Sequence, residues 1–250
     1  MRCAVLFAVF WSLPLAGQDR LIVDSDMLGG LVPRAIGPAT TSGRISALDA
    51  VPTDPVTIYV GAAGGGVWKS EDGGLTFKPI FDDYPQSIGA IAVDPSNPRI
   101  VWVGTGESWV RNSVSVGFGV YRSADGGETW QLVGLERSER IARIVVHPKQ
   151  SDVVYVCATG PAFGSGGERG VYRTTDGGKT FRRVLFVNDD TGCSDLAIDP
   201  QEPRILYAGM WQYRRRADFF TSGGPGSGLY KSTDGGETWK QLTNGLPEGD

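Results

Sequence analysis

Apolar residues along this chain fall into short runs set apart by Gly- and Pro-rich punctuation, and the same succession of runs comes round four times. The opening run reads ISALDAV, IGAIAVD, IARIVVH or SDLAID. A Pro-punctuated turn follows, as in Asp94-Pro-Ser-Asn-Pro98 and Asp199-Pro-Gln-Glu-Pro203. The next run, TIYVGA, IVWVGT, VVYVCA or ILYAGM, is β-branched and aromatic, a composition and length that suit a strand. After a stretch of variable length, GVWKS, GVYRS, GVYRT or GLYKS enters an Asp-Gly-Gly turn, and a Thr-Trp or Thr-Phe pair opens the fourth run. Four short strands per unit, recurring about every fifty residues, predict an all-β chain of four-stranded antiparallel blades, a β-propeller. Four blades are expected, at approximately 44–83, 88–135, 141–187 and 193–243, within a propeller region spanning 44–250.

The turn itself recurs as Ser70-Glu-Asp-Gly-Gly-Leu-Thr-Phe77, Ser123-Ala-Asp-Gly-Gly-Glu-Thr-Trp130, Thr174-Thr-Asp-Gly-Gly-Lys-Thr-Phe181 and Ser232-Thr-Asp-Gly-Gly-Glu-Thr-Trp239. Asp72, Asp125, Asp176 and Asp234 are assigned to folding. A carboxylate there accepts backbone N–H bonds, glycine supplies positive φ, and the aromatic packs beneath the turn.

Composition narrows the chemistry. Glycine contributes 36 of 250 residues, about twice its usual share, yet 40% hydrophobic and 10% aromatic content belongs to a packed protein. A formal net charge of −4 supplies no basic field for a phosphate backbone, so nucleic acid is not expected as a partner. The single histidine, His147, allows neither a two-histidine zinc motif nor a freely chosen triad base, and no metal or other cofactor is expected. It stands in the turn slot that Asp94 and Asp199 hold in sister repeats.

Residues 1–17, MRCAVLFAVFWSLPLAG, have the order of a secretory signal: Arg2, an apolar run too short to span a bilayer, and small residues at Ala16 and Gly17. Gln18 stands where a lipidated cysteine would be needed. The mature chain is expected to be secreted or periplasmic without a transmembrane anchor, with 18–43 as a lead-in segment. Cleavage removes Cys3 and leaves Cys157 and Cys193, either as a bridge stapling neighbouring blades or as two buried thiols.

The pattern S-x-D-G-G-x-T-W resembles the Asp-box, or bacterial neuraminidase repeat, of secreted β-propellers. Arg34-Ala-Ile-Gly-Pro38, Ser42-Gly-Arg-Ile45, Tyr59-Val-Gly-Ala-Ala-Gly-Gly-Gly-Val-Trp68 and Ser222-Gly-Gly-Pro-Gly-Ser-Gly-Leu-Tyr-Lys-Ser232 resemble large secreted bacterial propellers of the sortilin-like and glycosyl-hydrolase BNR-repeat type. The resemblance implies six or more blades, so this chain is expected to be the N-terminal part of a larger propeller, a closed four-blade ring being the alternative. It also implies that the Asp-boxes sit away from the ligand face.

That face should carry the variable connections between second and third strands, Gly61 to Gly66, Gly104 to Gly119, Cys157 to Gly170 and Gly209 to Gly228. The candidate ligand-binding residues are Trp109, Arg111, Trp211, Tyr213, Arg214 and Arg215, since aromatic faces beside arginines suit glycans, peptides or anionic groups. Glu107, paired with Asp189 or Asp190, is the candidate catalytic carboxylate couple. The favoured function is a binding module for peptide, protein or glycan. The alternative is part of a glycoside hydrolase of the xyloglucanase type, for which the resemblance implies an acid before the Gly-Gly of the first blade, where this chain has Ala62, Ala63 and Gly64. A sialidase reading fails because the chain lacks an Arg-Ile-Pro motif.

Overall fold

The computed structural model describes residues 44–111 and 113–245. The expected signal peptide over 1–17, the lead-in over 18–43 and residues 246–250 lie outside the described residues.

Among the described residues every regular element is a strand. The first sheet is β1 (Ile45–Val51), β2 (Asp54–Ala62), β3 (Val67–Ser70) and β4 (Lys78–Pro79). The second is β5 (Ile88–Val93), β6 (Val101–Thr105), β7 (Val120–Ser123) and β8 (Gln131–Gly134). The third is β9 (Ile141–His147), β10 (Gln150–Ala158), β11 (Gly170–Thr174) and β12 (Arg182–Leu185). The fourth comprises β13 (Thr191–Ile198), β14 (Leu206–Arg215), β15 (Phe220–Ser222), β16 (Gly228–Ser232) and β17 (Lys240–Leu242). Each sheet is an antiparallel meander in chain order, with β15 set off the path of the fourth, so the described residues form four blades of an all-β propeller.

The fourth blade departs from the expected pattern. The stretch from Gly209 to Gly228 is not an open loop: β14 continues to Arg215 and folds back as β15, pairing Tyr213 with Ser222 and Arg215 with Phe220. A hairpin satisfies backbone groups that a long loop would leave to water, and its Phe, Thr and Tyr residues favour the extended form.

The core lies between blades. Among the described residues it forms three clusters, each shared by two consecutive sheets: Tyr59 and Phe81 with Ile88 and Trp130, Trp102 and Leu135 with Ile141 and Tyr172, and Tyr155 and Leu185 with Leu196 and Met210. Inner strands pack in succession, β1 on β5, β5 on β9 and β9 on β13.

The Asp-box turns are alike in all four blades. Ser123 Oγ is buried, donates to Asp125 Oδ1 at 2.7 Å and accepts from the N–H of Gly127 at 2.8 Å. Asp125 in turn accepts from the N–H and the hydroxyl of Thr129, at 2.9 and 2.6 Å. Ser70, Thr174 and Ser232 repeat the arrangement with Asp72, Asp176 and Asp234. The Thr76 hydroxyl and N–H hold the Asp72 carboxyl down at about 2, and the other three carboxyls are lowered for the same reason. The turn also receives the preceding blade. Tyr59 Oη donates to the carbonyl of Gly126 at 3.0 Å, and Tyr155 Oη to that of Gly235 at 2.9 Å.

His147 ends β9, and its Nδ1 accepts the N–H of Lys149 at 3.1 Å. Asp94 and Asp199 accept the N–H of Ser96 and Gln201 in the same way.

Candidate functional site

The inner strand of every blade is bulged at its start. Ile45 pairs with Ala62 but Ala47 with Gly61, so two residues of β1 oppose one of β2. The same slip occurs between Ile88 and Ala90, between Ile141 and Arg143, and between Cys193 and Asp195. A bulge re-aims side chains. It leaves Ser46, Ala142 and Ser194, together with the neighbouring Arg143 and Asp195, lining one cavity of about 820 Å³. Gly89 holds the equivalent place in blade two, where a Cβ would lie 2.2 Å from the carbonyl oxygen of Ile141.

The second blade contributes the segment from Glu107 to Arg111. Gly106 aims it, with φ +88° and its N–H donating to the carbonyl of Ser87 at 2.7 Å. Only glycine fits there, because a Cβ would meet the carbonyl oxygen of Glu139 at 1.8 Å. Glu107 is almost fully buried and its Oε1 receives both Arg44, from the edge of blade one, and Arg111, at 3.5 Å. Arg143 pairs with Asp195 at 2.9 Å, joining blades three and four beside the same cavity. The lining thus carries three guanidinium groups against two carboxylates.

Aromatic surface completes the cavity. Trp109 is 73% exposed, and Trp211 and Phe220 approach edge to face at 5.8 Å between centroids. Trp211 stacks on Tyr213 at 4.3 Å. Tyr213, nominated as a ligand contact, is itself buried, with its hydroxyl donating to the carbonyl of Gly160 at 3.0 Å and Arg169 over its ring. It supports the indole from below, since residues two apart on β14 project to the same side of the strand.

Other nominated residues are dispersed. Arg214 pairs with Asp190 in a separate cavity of about 370 Å³ that also holds Ser165 and Arg216. The Ser165 hydroxyl and the Arg214 guanidinium hold the Asp190 carboxyl below its ordinary range. Arg215 lies outside both cavities, its guanidinium 5.8 Å from the Phe220 ring centre. Asp189 is exposed and lines neither. Glu107 is therefore not brought together with Asp189 or Asp190; the carboxylate that shares its cavity is Asp195.

Sequence reasoning missed Arg44, Arg143 and Asp195, which sit in or beside runs read as plain strand. The visible signal was a charged residue interrupting the apolar inner strand at the bulge. It also missed Arg169, fully buried, which folds the third connection by donating to the carbonyls of Thr159, Gly164, Gly166 and Pro161. Cys157, late in β10, and Cys193, early in β13, are joined by a disulfide with Cα atoms 5.1 Å apart. Among the described residues no group of three or more His, Cys, Asp or Glu is placed to hold a metal ion.

Fold and cavity together define an Asp-box β-propeller with an open site at the mouth of its inner strands. Residues 119–248 match the family model described as Sortilin-Vps10 (Sortilin, neurotensin receptor 3), and the chain belongs to this sortilin-like family of BNR-repeat propellers. Among curated proteins it is similar to a xyloglucanase of Hypocrea jecorina, 27% identical over 82% of this chain and 26% of that protein. It is equally similar to xyloglucanase Xgh74A of Acetivibrio thermocellus, 27% identical over 79% of this chain and 25% of that protein. The chain thus spans about a quarter of the length of these relatives. A crystal structure of an ancestral GH74 enzyme shares the fold, with TM-score 0.64 and 22% identity over 82% of this chain and 26% of that one.

Proposed function

We propose that this chain is an exported glycan-binding propeller module whose ligand lies across the larger cavity. The observation that carries the reading is the convergence of Trp109, Trp211 and Phe220 with Arg44, Arg111 and Arg143 on one open cavity. Sugar rings stack on aromatic faces while their hydroxyl groups take directional bonds from guanidinium donors and carboxylate acceptors. The buried Glu107 fixes two of those guanidinium groups from behind. The xyloglucanase names of the 27%-identical relatives support a β-glucan ligand over a peptide. Among the described residues no helix is long and apolar enough to cross a membrane, which is compatible with export in free form.

Titration calorimetry against xyloglucan oligosaccharides, with a peptide library as the alternative ligand, tests this. Trp109→Ala should weaken glycan binding by roughly tenfold or more while leaving the melting temperature unchanged, since the indole is largely exposed and carries little of the core. Binding of peptides alone, or glycan affinity indifferent to Trp109, would refute the glycan reading.

The relatives also favour a second reading, that the cavity contributes to glycoside hydrolysis. Glu107 and Asp195 are then the carboxylates to suspect, and both are engaged by arginine. Release of reducing sugar from xyloglucan that disappears in Glu107→Gln but survives in Trp109→Ala at saturating substrate would favour that reading.

A further inference from the structure

The hairpin of β14 and β15 is a wall with two unlike faces. Side chains alternate along each strand and directly opposed residues share a face, so Trp211 and Phe220 front the larger cavity while Gln212, Arg214, Phe219 and Thr221 front the smaller one. The first face is aromatic. The second combines positive charge, hydrogen-bonding groups and one ring.

The smaller cavity is held in shape by contacts on every side. Its far wall is Ser165 and Asp190, brought together by the Gly166 N–H donating to the carbonyl of Asp189 at 2.8 Å and by Ser165 Oγ donating to Asp190 Oδ1 at 2.7 Å. The wholly buried Arg169 fixes the Ser165 segment through the carbonyls of Gly164 and Gly166. On the hairpin side Gln212 Oε1 accepts the N–H of Gly226 at 2.8 Å, which folds the Gly-rich segment 222–228 against the strand. Glycine is required at 226, where a Cβ would lie 2.1 Å from Thr191 Oγ1. Among the described residues the amide nitrogen of Gln212 donates to no protein acceptor, so it is free for a ligand oxygen.

Charge sets the class of ligand. Two guanidinium groups line this cavity against one carboxylate, and Arg214 is already paired with Asp190. Arg216 is exposed, makes no ion pair among the described residues, and lies with its guanidinium 5.0 Å from the Phe219 ring centre. Asp189, Arg215 and Asp218 are near in sequence but line neither cavity. A surplus positive charge is thus held beside an aromatic face in a chain whose net charge is −4. A neutral sugar would leave Arg216 unused, and a simple anion would leave Phe219 and the hydroxyl and amide groups unused. An extended acidic peptide needs partners for its own backbone, whereas the groups offered here are side chains. A volume of about 370 Å³ stands at the lower end of small-ligand sites, roughly 300 to 1,000 Å³, and suits one or two sugar rings.

We propose that the smaller cavity is a second ligand site, for a sugar residue that bears a carboxylate. Arg216 takes the carboxylate, Phe219 the ring face, and Ser165, Gln212 and Thr221 the hydroxyl groups. This assignment does not depend on what the larger cavity binds.

The matched pair methyl glucuronoside and methyl glucoside supplies the experiment, titrated into the nitrogen-15-labelled chain and followed by NMR. The glucuronoside should shift the amides of Arg214, Arg216, Phe219 and Thr221 and leave the indole N–H of Trp109 in place. It should bind at least about tenfold more tightly than the glucoside, acetate or inorganic phosphate. Arg216→Gln should cost about tenfold of that affinity, with Arg216→Lys recovering part of it, and the exposed position keeps the amide spectrum of the folded protein. Acetate or phosphate binding as tightly would reduce the site to one for simple anions, and equal binding of the glucoside would remove the role of charge. Shifts confined to Trp109 would place the ligand in the larger cavity, and tighter binding of an acidic peptide at the hairpin amides would assign the site to a protein partner. Each of these results overturns the proposal, as does the absence of any shift at millimolar glucuronoside. Failure of xyloglucan oligosaccharides to bind would count against the reading of the larger cavity and leave this one standing.

Discussion

Each Asp-box turn is organised around two oxygens, the buried hydroxyl of Ser or Thr at its head and the carboxylate two residues on. The hydroxyl has no access to water, whereas the half-buried carboxylate does: Ser123 is 1% exposed, and the bonds of Asp125 to Thr129 lie at the surface. Removing an exposed acceptor lets water replace it, but removing a buried one leaves the Gly127 N–H unpaired, which costs more. Asp125→Ala should therefore lower stability by only about 1 kcal/mol, and Ser123→Ala by about 2 to 3 kcal/mol. Thermal melts of the two variants decide the order, and a carboxylate variant that is the less stable of the two would return the leading role to Asp125. His147 shows the same economy in the opposite turn, its Nδ1 standing in for a carboxylate oxygen.

At the scale of strands and their contacts, Ile88 sits over Gly61 and Ile141 over Gly104, and Cys193 and Cys157 hold the same register positions, so the disulfide is one version of the contact that the other interfaces make with isoleucine and glycine. Cys157 and Cys193 are 36 residues apart. Closing such a loop in the unfolded chain corresponds to about 4 kcal/mol in the chain-entropy account. Replacing both with serine should lose most of that, whereas Cys157→Gly with Cys193→Ile should recover roughly 1 to 2 kcal/mol of it by restoring the apolar knob. Urea unfolding at equal concentration measures the difference, and a Gly/Ile pair no better than Ser/Ser would show the two contacts to be unrelated. The blades were legible in the sequence because each strand is short, β-branched and punctuated by Pro or Asp-Gly-Gly. The bulge was not, since it changes which of two neighbouring residues faces the cavity without changing composition. For that reason Arg143 and Asp195 were passed over, while Trp109 and Trp211 stood out as aromatics in variable segments. Tyr213 was misplaced for the converse reason: a tyrosine near arginines in a long connection reads as surface until β15 pairs with it. Asp189 and Asp190 were nominated on chain proximity to the ligand face, and the turn that holds them points Asp190 to Arg214 instead of to Glu107.

The described residues form a series of blades in which each packs on the next, so their stability is a sum of blade terms and interface terms. Among the described residues, blades two and three have a neighbour on both sides, and blades one and four have one each. Burial follows that order, with β5 buried along its whole length and β1 exposed or half-buried everywhere except Val51. The fourth blade is tied to the third by the disulfide, by Arg143 with Asp195, and by Arg173 and Arg182 with Glu237, whereas Leu75, 85% exposed, stands in blade one where Glu237 stands in blade four. Opening should therefore begin at blade one. In hydrogen exchange of this chain, amides of β5, β6, β9 and β10 should exchange slowest, those of β13 and β14 next, and those of β1 to β4 fastest. Reducing the disulfide should speed β13 and β14 toward the β1 rate and leave β5 and β6 unaffected. Protection that is uniform across the four blades would mean that they unfold as one cooperative unit, and protection highest in β1 would contradict the nearest-neighbour account outright.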